Sequence, residues 1–331
     1  MTRLILTTDD SGAGSLRAAG IADIVIPFGI RFVWGPPPTD AELATLLGPC
    51  RAERGTRASH WLQSVRHLEE MKVEDLGLIE LCERCETIEL WVDPEPNAQL
   101  TLIWLLDHLR HHRETALKLR LVQADGVIGN MPPEQLARRR LPAVNILNHH
   151  LETASVAWQA HRASTPRDWF SLLGGDLSVL PQLRQTVLEL LEELPFDATG
   201  LGATEMRMLE LISAGNAGPF DVFPGHQKRN TRRVFGYWEV GALLDGLAHC
   251  PAPAVSGLDE GPFTLEMHED RSRYERYKRS ELKLTALGEA VLAGTADFSR
   301  QNPIHRWWGG TELTNDRLWR WDPANRALIT P

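Results

Sequence analysis

Short apolar runs alternate with helical patterns over the first 125 residues, and this alternation constrains the fold more than any other feature. Strand-like runs cover residues 3–7, 23–27, 87–92 and 117–122. Helical periodicity lies between them, most clearly over residues 98–112, where leucines recur at i, i+3, i+4 and i+7. Strands alternating with helices favour a parallel sheet with crossover helices. We therefore expect an α/β, Rossmann-like domain with a parallel sheet over residues 1–125.

The remainder of the chain has a different pattern. Strand signals stop near residue 125, and a mostly helical stretch broken by prolines predicts a helical connecting segment over residues 126–199. After residue 200 the predicted order is helix (203–213), helix (235–249), strand, charged connection and strand. This order resembles a winged helix. The sequence thus predicts a winged-helix-like α+β domain over residues 200–331.

Composition excludes several classes of protein. The net charge of −9 argues against a surface built as a whole for nucleic acid or anionic lipid. No apolar run approaches the roughly 20 residues that a membrane helix needs, and the amino terminus lacks the regions of a signal peptide. Four cysteines in 331 residues do not form a disulfide scaffold. These features favour a cytoplasmic protein without a membrane span.

Small and acidic residues follow the first predicted strand and open the next helix. The ligand-binding candidates among them are Asp10, Ser11, Gly12, Gly14 and Ser15. Ligands of open parallel sheets bind beyond the carboxyl ends of the strands, and glycine amides at a helix N-terminus can approach an anion. The acids repel a bare phosphate but can hold a metal ion or a ribose hydroxyl. A purely structural tight turn is the alternative.

A second set of candidates, Asp93, Glu95 and Gln99, follows the third predicted strand. Two carboxylates can bind a cation or perform acid–base chemistry, although Pro94 and Pro96 also suit a stiff exposed turn. Right-handed crossovers place such loops at one edge of the sheet. We therefore expect both loops to flank one pocket for a small anionic or nucleotide-like ligand.

Cysteine and histidine patterns predict no metal site. Cys82 and Cys85 form a lone CxxC, whereas structural zinc needs four ligands. We expect replacement of both cysteines by serine to change the stability little, because surface substitutions usually have small effects. His108 and His112 stand at i, i+4, but histidines also suit a helix C-terminus. The sequence assigns no cofactor and no complete catalytic set.

The densest basic run comprises Lys228, Arg229, Arg232 and Arg233, which are candidates for contact with phosphate or with a protein partner. A solvated face is the alternative. The predicted helix 235–249 follows this run and contains Glu239 and Asp245 but neither lysine nor arginine. A helix that docks in the major groove meets closely spaced phosphates. Nucleic acid is therefore a less favoured partner, and we expect Trp238 and the leucines of this helix to pack internally.

Tryptophans concentrate near the end of the chain, at Trp307, Trp308, Trp319 and Trp321. Interleaved with arginines, they could stack on bases or sugars. They could also hold the terminal strands onto the core through guanidinium–ring contacts. We favour packing.

Short blocks spread along the chain resemble a bacterial family. They include Asp10 and Ser11, Leu90 and Trp91, Gln99 and Leu100, Leu284 and Thr285, Arg306 and Trp307, and Arg320, Trp321 and Asp322. The chain resembles bacterial proteins with DUF1835, a domain of unknown function, and its C-terminal extension. Where the family pattern has further acidic and histidine residues, this chain has Phe28, Gly29, Pro94 and Ala98. The resemblance implies that only part of the family's polar set is kept.

These features favour a regulatory or accessory binding protein, in which a partly degenerate pocket at the sheet edge is coupled to a winged-helix-like module. One alternative is an enzyme that acts on a phosphorylated or nucleotide-like substrate at that pocket. The second alternative is a nucleic-acid-binding protein that uses its C-terminal module.

Overall fold

The structure, a computed structural model, describes residues 2–48, 76–139, 141–223 and 233–331. The chain divides into two compact units. Unit 1 comprises Met1–Phe32, Pro37–Arg162 and Gly174–Arg184, and unit 2 comprises Val33–Pro36, Ala163–Leu173 and Gln185–Pro331. The predicted connecting segment, residues 126–199, is shared between these two units.

Unit 1 contains a five-stranded sheet in the order β2-β1-β3-β4-β5. Its strands are β1 (Arg3–Thr7), β2 (Ile24–Pro27), β3 (Thr87–Val92), β4 (Leu119–Gln123) and β5 (Val144–Asn145). Strands β1 to β4 are parallel, and β5 pairs antiparallel with β4. The mixed α/β fold with a mainly parallel sheet is therefore confirmed. The sequence did not reveal β5, whose two residues are both exposed and too few for a periodic signal.

Helices follow the strands of unit 1 and cover the sheet. They are α1 (Asp10–Ala18), α2 (Asp40–Leu47), α3 (Leu78–Arg84), α4 (Pro96–Leu109), α5 (Arg113–Ala116), α6 (Pro133–Arg138) and α7 (Asn148–Arg162), with a 3-10 turn at Ile128–Asn130. Thr39 and Glu42 form a capping box that starts α2. Twelve of the 14 residues of α4 are buried, so it is an internal helix. Residues 59–71 also have a helical pattern in the sequence, but they lie outside the described residues.

The core of unit 1 uses both faces of its strands. Ile5, Trp91 and Val122 pack with Leu16 of α1 in one apolar cluster. Aromatic rings form further contacts: the centroids of Phe32 and Trp158 are 4.9 Å apart, and those of Phe28 and Trp104 are 5.7 Å apart. Phe28, which directly follows β2, is a core residue with 2% exposure.

The described part of unit 2 is mainly helical and carries three separate pairs of short strands. Its helices are α8 (Arg167–Ser171), α9 (Leu183–Leu191), α10 (Ala203–Ser213), α11 (Pro219–Val222), α12 (Tyr237–Ala248), α13 (Leu265–Glu269), α14 (Arg271–Arg279) and α15 (Ala286–Leu292). The first two residues of α9 belong to unit 1. Its strands are β6 (Val255–Ser256), β7 (Lys283–Leu284), β8 (His305–Trp308), β9 (Thr311–Thr314), β10 (Arg320–Asp322) and β11 (Ala327–Ile329), paired in that order. Within the described parts of both units, the helices are too short or too polar to cross a bilayer.

Helix α12 belongs to the core of unit 2. Its Leu243, Leu244 and Leu247 are buried in the main apolar cluster of this unit, which confirms the predicted packing role of the leucines. Trp238 differs from the expectation, because 42% of its surface is exposed. It is the second residue of the helix, and its ring lies beside those of Tyr237, Phe263 and His268.

Three of the four terminal tryptophans are buried as predicted, and the fourth, Trp307, is half-buried. Trp308, Trp319 and Trp321 are buried. The indole of Trp308 donates a 2.7 Å hydrogen bond to the Leu190 carbonyl. The guanidinium of Arg167 lies 5.1 Å from the ring centroid of Trp319, which is the cation–π contact expected for a clamp on the core.

Candidate functional site

The carboxyl ends of β1 and β3 bring the two predicted loops to one edge of the sheet. Thr7 and Trp91 are register partners in this parallel pair, so the residues that follow each strand are neighbours. In an open sheet with this strand order, the topological switch point lies between β1 and β3, where ligands of such sheets bind. This common edge confirms the predicted placement of the loops.

Asp9 is the N-cap of α1. Its backbone is extended, and its Oδ1 accepts a 2.7 Å hydrogen bond from the amide of Gly12, as expected for aspartate before a helix. The carboxyl of Asp9 also forms a hydrogen bond with that of Asp93. Asp9 is not among the residues predicted from the sequence, although the preference of aspartate for N-cap positions was an available signal. Asp10 is the first helical residue and is exposed.

Asp93 is a buried acid, with 1% exposure. Burial is the largest cause that raises the pKa of Asp93, and together with the hydrogen bond to Asp9 and the nearby charges of Asp9 and Glu95 it brings that pKa to about 8, against the opposing effect of the Ile128 amide. That amide donates to Oδ1 of Asp93 over 2.7 Å. Near neutral pH, the Asp93 carboxyl is therefore mostly protonated.

Gln99 extends this arrangement toward β4. Its side-chain amide donates a 2.7 Å hydrogen bond to the backbone carbonyl of Asp93, and Gln99 is 1% exposed. The amide of Gln123, the last residue of β4, donates to Oε1 of Gln99 over 3.2 Å. Gln99 therefore positions the loop after β3 and orients Gln123, while Glu95 occupies the N-cap position of α4.

The 3-10 turn at Ile128–Asn130 lies against the start of α1. A Cβ on Gly129 would stand 2.8 Å from Cβ of Ser11, so only glycine fits this approach without a shift. Ser15 Oγ donates a 3.5 Å hydrogen bond to the Gly129 carbonyl. The turn thus contacts both predicted loops.

Gly12 is buried here with its amide bonded to Asp9, whereas Gly14 is exposed.

Two hydroxyls at the end of β1 are buried without a hydrogen-bond partner in the described structure. They are Thr7 Oγ1 and Thr8 Oγ1, on residues that are 1% and 6% exposed. A Cβ placed on Gly12 would lie 3.3 Å from Asp9 Oδ2 and 3.5 Å from Thr7 Oγ1, so these two oxygens face the same small space. Buried polar groups are normally paired, and an exception calls for an explanation.

Four basic residues were the remaining candidates, for contact with phosphate or with a protein partner. Lys228, Arg229 and Arg232 lie outside the described residues, and Arg233 is half-buried in unit 2. Among the described histidine, cysteine, aspartate and glutamate side chains, no group of three is arranged to hold a metal ion. Cys82 and Cys85 are 0% and 1% exposed, so the expectation of a surface pair was wrong. Burial raises the pKa of both thiols.

Comparison with known proteins adds no assignment to this geometry. The sequence matches no protein-family model and shows no significant similarity to a curated protein.

Proposed function

We propose that the chain is a regulatory or accessory binding protein of the cytoplasm, in which unit 1 binds a small polar ligand at the carboxyl edge of its sheet. The hydrogen bond between Asp9 and Asp93 carries this proposal. Capping of α1 needs Asp9 alone, and a second buried acid beside it disfavours folding at neutral pH. Acids held in this way are frequent at functional sites.

The chemistry of the edge favours a ligand that brings hydroxyl groups. Carboxyl oxygens accept hydrogen bonds from sugar hydroxyls, and they repel a bare phosphate. The buried hydroxyls of Thr7 and Thr8 add further donors and acceptors at the end of the same strand. We therefore propose a nucleotide-like ligand that is held through its sugar and not through its phosphates.

The test is a thermal-shift screen of nucleosides and nucleotides against the wild type and Asp93→Asn. Asparagine retains an acceptor for Ile128 and a donor for Asp9, so the variant should fold but lose the titratable pair. Asp125→Asn is the matched control, because Asp125 follows β4 and pairs with Arg139 at an exposed position. We expect ligand-induced stabilisation in the wild type and the control, and its loss in Asp93→Asn. Equal stabilisation of all three proteins contradicts the proposal.

An enzyme that acts on a phosphorylated or nucleotide-like substrate is the second candidate. The observation that favours it is the pKa of Asp93, raised to about 8, because a carboxyl that titrates near neutral pH can donate and accept a proton during a reaction. Any compound that binds in the screen should be followed by chromatography for conversion. If the wild type converts the compound and Asp93→Asn does not, the protein is an enzyme. If the compound binds but is not converted, the result favours the regulatory or accessory binding protein.

For unit 2 we propose a winged-helix-like arrangement with a protein-binding or coupling role. The supporting order is α10, α12 and the antiparallel pair β6 and β7, with α13 and α14 between the strands. Both acids of α12 are engaged inside the unit: Glu239 accepts from the Gly236 amide over 2.9 Å, and Asp245 accepts from the Phe263 amide.

A helix committed to the core in this way is poorly suited to reading a DNA groove. The test for nucleic acid is titration with random duplex DNA at low and moderate salt. Tight, salt-sensitive binding that Arg232→Ala with Arg233→Ala removes would favour the nucleic-acid alternative.

A further inference from the structure

A cavity of about 540 Å³ lies beside the carboxyl end of β4 in unit 1. Its polar lining residues are Gln123, Asn145, His149, His150 and Ser178, and leucine, valine and proline side chains form the rest of the wall. Small-molecule sites have volumes of roughly 300–1,000 Å³, with mainly apolar walls and few polar groups. Both its size and its lining therefore match a small-molecule site.

The short pairing of β4 with β5 opens this cavity. Their register contains two pairs, Arg120 with Asn145 and Leu121 with Val144. Pro142 comes just before β5 and has no amide hydrogen to extend the ladder. Leu121 and Gln123 alternate with Val122 along β4, so they share the face that lines the cavity, while Val122 packs in the cluster on the side of α1.

Two of the polar side chains are held in defined orientations. The amide of Gln123 is committed to Gln99, which leaves its Oε1 as the acceptor toward a ligand. The Leu147 amide donates a 3.1 Å hydrogen bond to Nδ1 of His150, so the proton of the neutral ring resides on Nε2. Burial lowers the pKa of His150, and the neighbouring His149 lowers it further. The cavity thus presents a fixed acceptor and a neutral donor.

The nature of the lining defines the class of ligand. Among the described residues of the wall, none carries a carboxylate, an ammonium or a guanidinium group. The His149 and His150 rings stack at a centroid distance of 4.3 Å and offer a flat surface. Side-chain amides, such as those of Gln123 and Asn145, pair with adjacent donors and acceptors on heterocycles.

We propose that this cavity binds an uncharged, planar heterocycle with neighbouring hydrogen-bond donors and acceptors, the chemistry of a purine or pyrimidine base. The site stands apart from the Asp9–Asp93 pair and does not depend on the function proposed for that pair. Gln123 supplies the acceptor, His150 the donor, and the valine, leucine and proline side chains enclose the ring faces.

The experiment is calorimetric titration with adenine, hypoxanthine, cytosine and uracil, each also as its nucleoside and 5′-monophosphate. Val144→Trp places an indole at the wall of the cavity, whereas Val156→Trp makes the same change at an exposed valine of α7 outside the cavity wall. We expect at least one neutral base or nucleoside to bind more tightly than its monophosphate. Its affinity should fall by about tenfold or more in Val144→Trp and remain unchanged in Val156→Trp.

Asp93→Asn separates this site from the one proposed above, because Gln99 contacts the backbone of Asp93 and not its side chain. Base binding should therefore persist in Asp93→Asn. The proposal is overturned if no base or nucleoside binds the wild type, if Val144→Trp binds as well as the wild type, or if the monophosphates bind best. Loss of base binding in Asp93→Asn alone would move the ligand to the acid pair. Melting curves of each variant establish that it is folded.

Discussion

The Asp93 carboxyl forms a hydrogen bond with the Asp9 carboxyl where β3 and β1 end, and the Ile128 amide donates to the same Asp93 side chain. The three residues come from segments far apart in the chain. Their meeting ties the loops after two neighbouring strands to the turn that follows β4. The charge state of one buried side chain is therefore linked to the packing of three segments.

Asp93→Asn should remove a pH dependence of stability. The pKa of aspartate in an unfolded chain is about 3.9, and in the folded chain that of Asp93 is raised to about 8. The stabilisation from this proton is complete below the unfolded pKa and is lost as the pH rises through the folded pKa. We expect the wild-type melting temperature to fall between pH 6 and pH 9 relative to the variant, by the equivalent of a few kcal/mol. Melting curves that run parallel for the two proteins would contradict this.

Gly129→Ala should destabilise unit 1, because the new methyl group meets Ser11. Overpacking of this kind costs about 1–3 kcal/mol. Gly126→Ala is the matched control in the same segment, since its new Cβ would contact only the Met131 methyl group at 3.7 Å. Urea unfolding measures both. Adding Ser11→Gly should restore much of the stability of Gly129→Ala, and failure of this rescue would show that the contact is not the cause.

Cys82→Ser should lower the stability, contrary to the expectation for a surface thiol. Cys82 is fully buried, and an unpaired hydroxyl at such a position costs about 1–3 kcal/mol. Cys250→Ser serves as the control, because Cys250 is half-buried and its Sγ already lies 3.4 Å from the Ala252 carbonyl, to which serine can donate. Chemical denaturation should separate the two variants by at least about 1 kcal/mol. If Cys82→Ser and Cys250→Ser unfold with equal free energies, the prediction is wrong and the Cys82 side chain is accessible to water.

Much of unit 1 follows from local sequence patterns. The bounds of β1 and β3 agree with the predicted strands, because each is an uninterrupted, mostly apolar run buried on both faces. The neighbouring positions of their loops follow from parallel pairing and right-handed crossovers. Helix α10 begins and ends at the predicted residues, and at its start the Gly202 amide donates a 2.9 Å hydrogen bond to the Glu205 carboxylate.

Features that depend on contacts between distant segments could not be predicted. The cavity combines residues of β4, the segment around β5 and the residues near Ser178, and none of these carries a motif by itself. Either Asp9 or Asp10 could have capped α1, because aspartate is favoured at N-cap positions. Which of the two caps the helix depends on the residue at which α1 begins. The burial of Cys82 and Cys85 depends on how α3 packs, which the spacing of a CxxC does not encode.

Gln99 and Gln123 should show strong coupling in a double-mutant cycle. Gln99→Met leaves the Gln123 amide and the Asp93 carbonyl without their partner, and Gln123→Met leaves Oε1 of Gln99 without its donor. Each single change should cost about 1–3 kcal/mol, because a buried polar group that loses its partner bears its full desolvation cost. The double variant should lose less than the sum, by about 0.5–1.5 kcal/mol, since the hydrogen bond between the two amides is counted in both single changes. Denaturant unfolding of the wild type, the two single variants and the double variant measures this coupling. Gln185→Met is the control, because it makes the same change at an exposed glutamine. Strict additivity would mean that the two amides act independently, and Gln99 would then not be the residue that orients Gln123 toward the cavity.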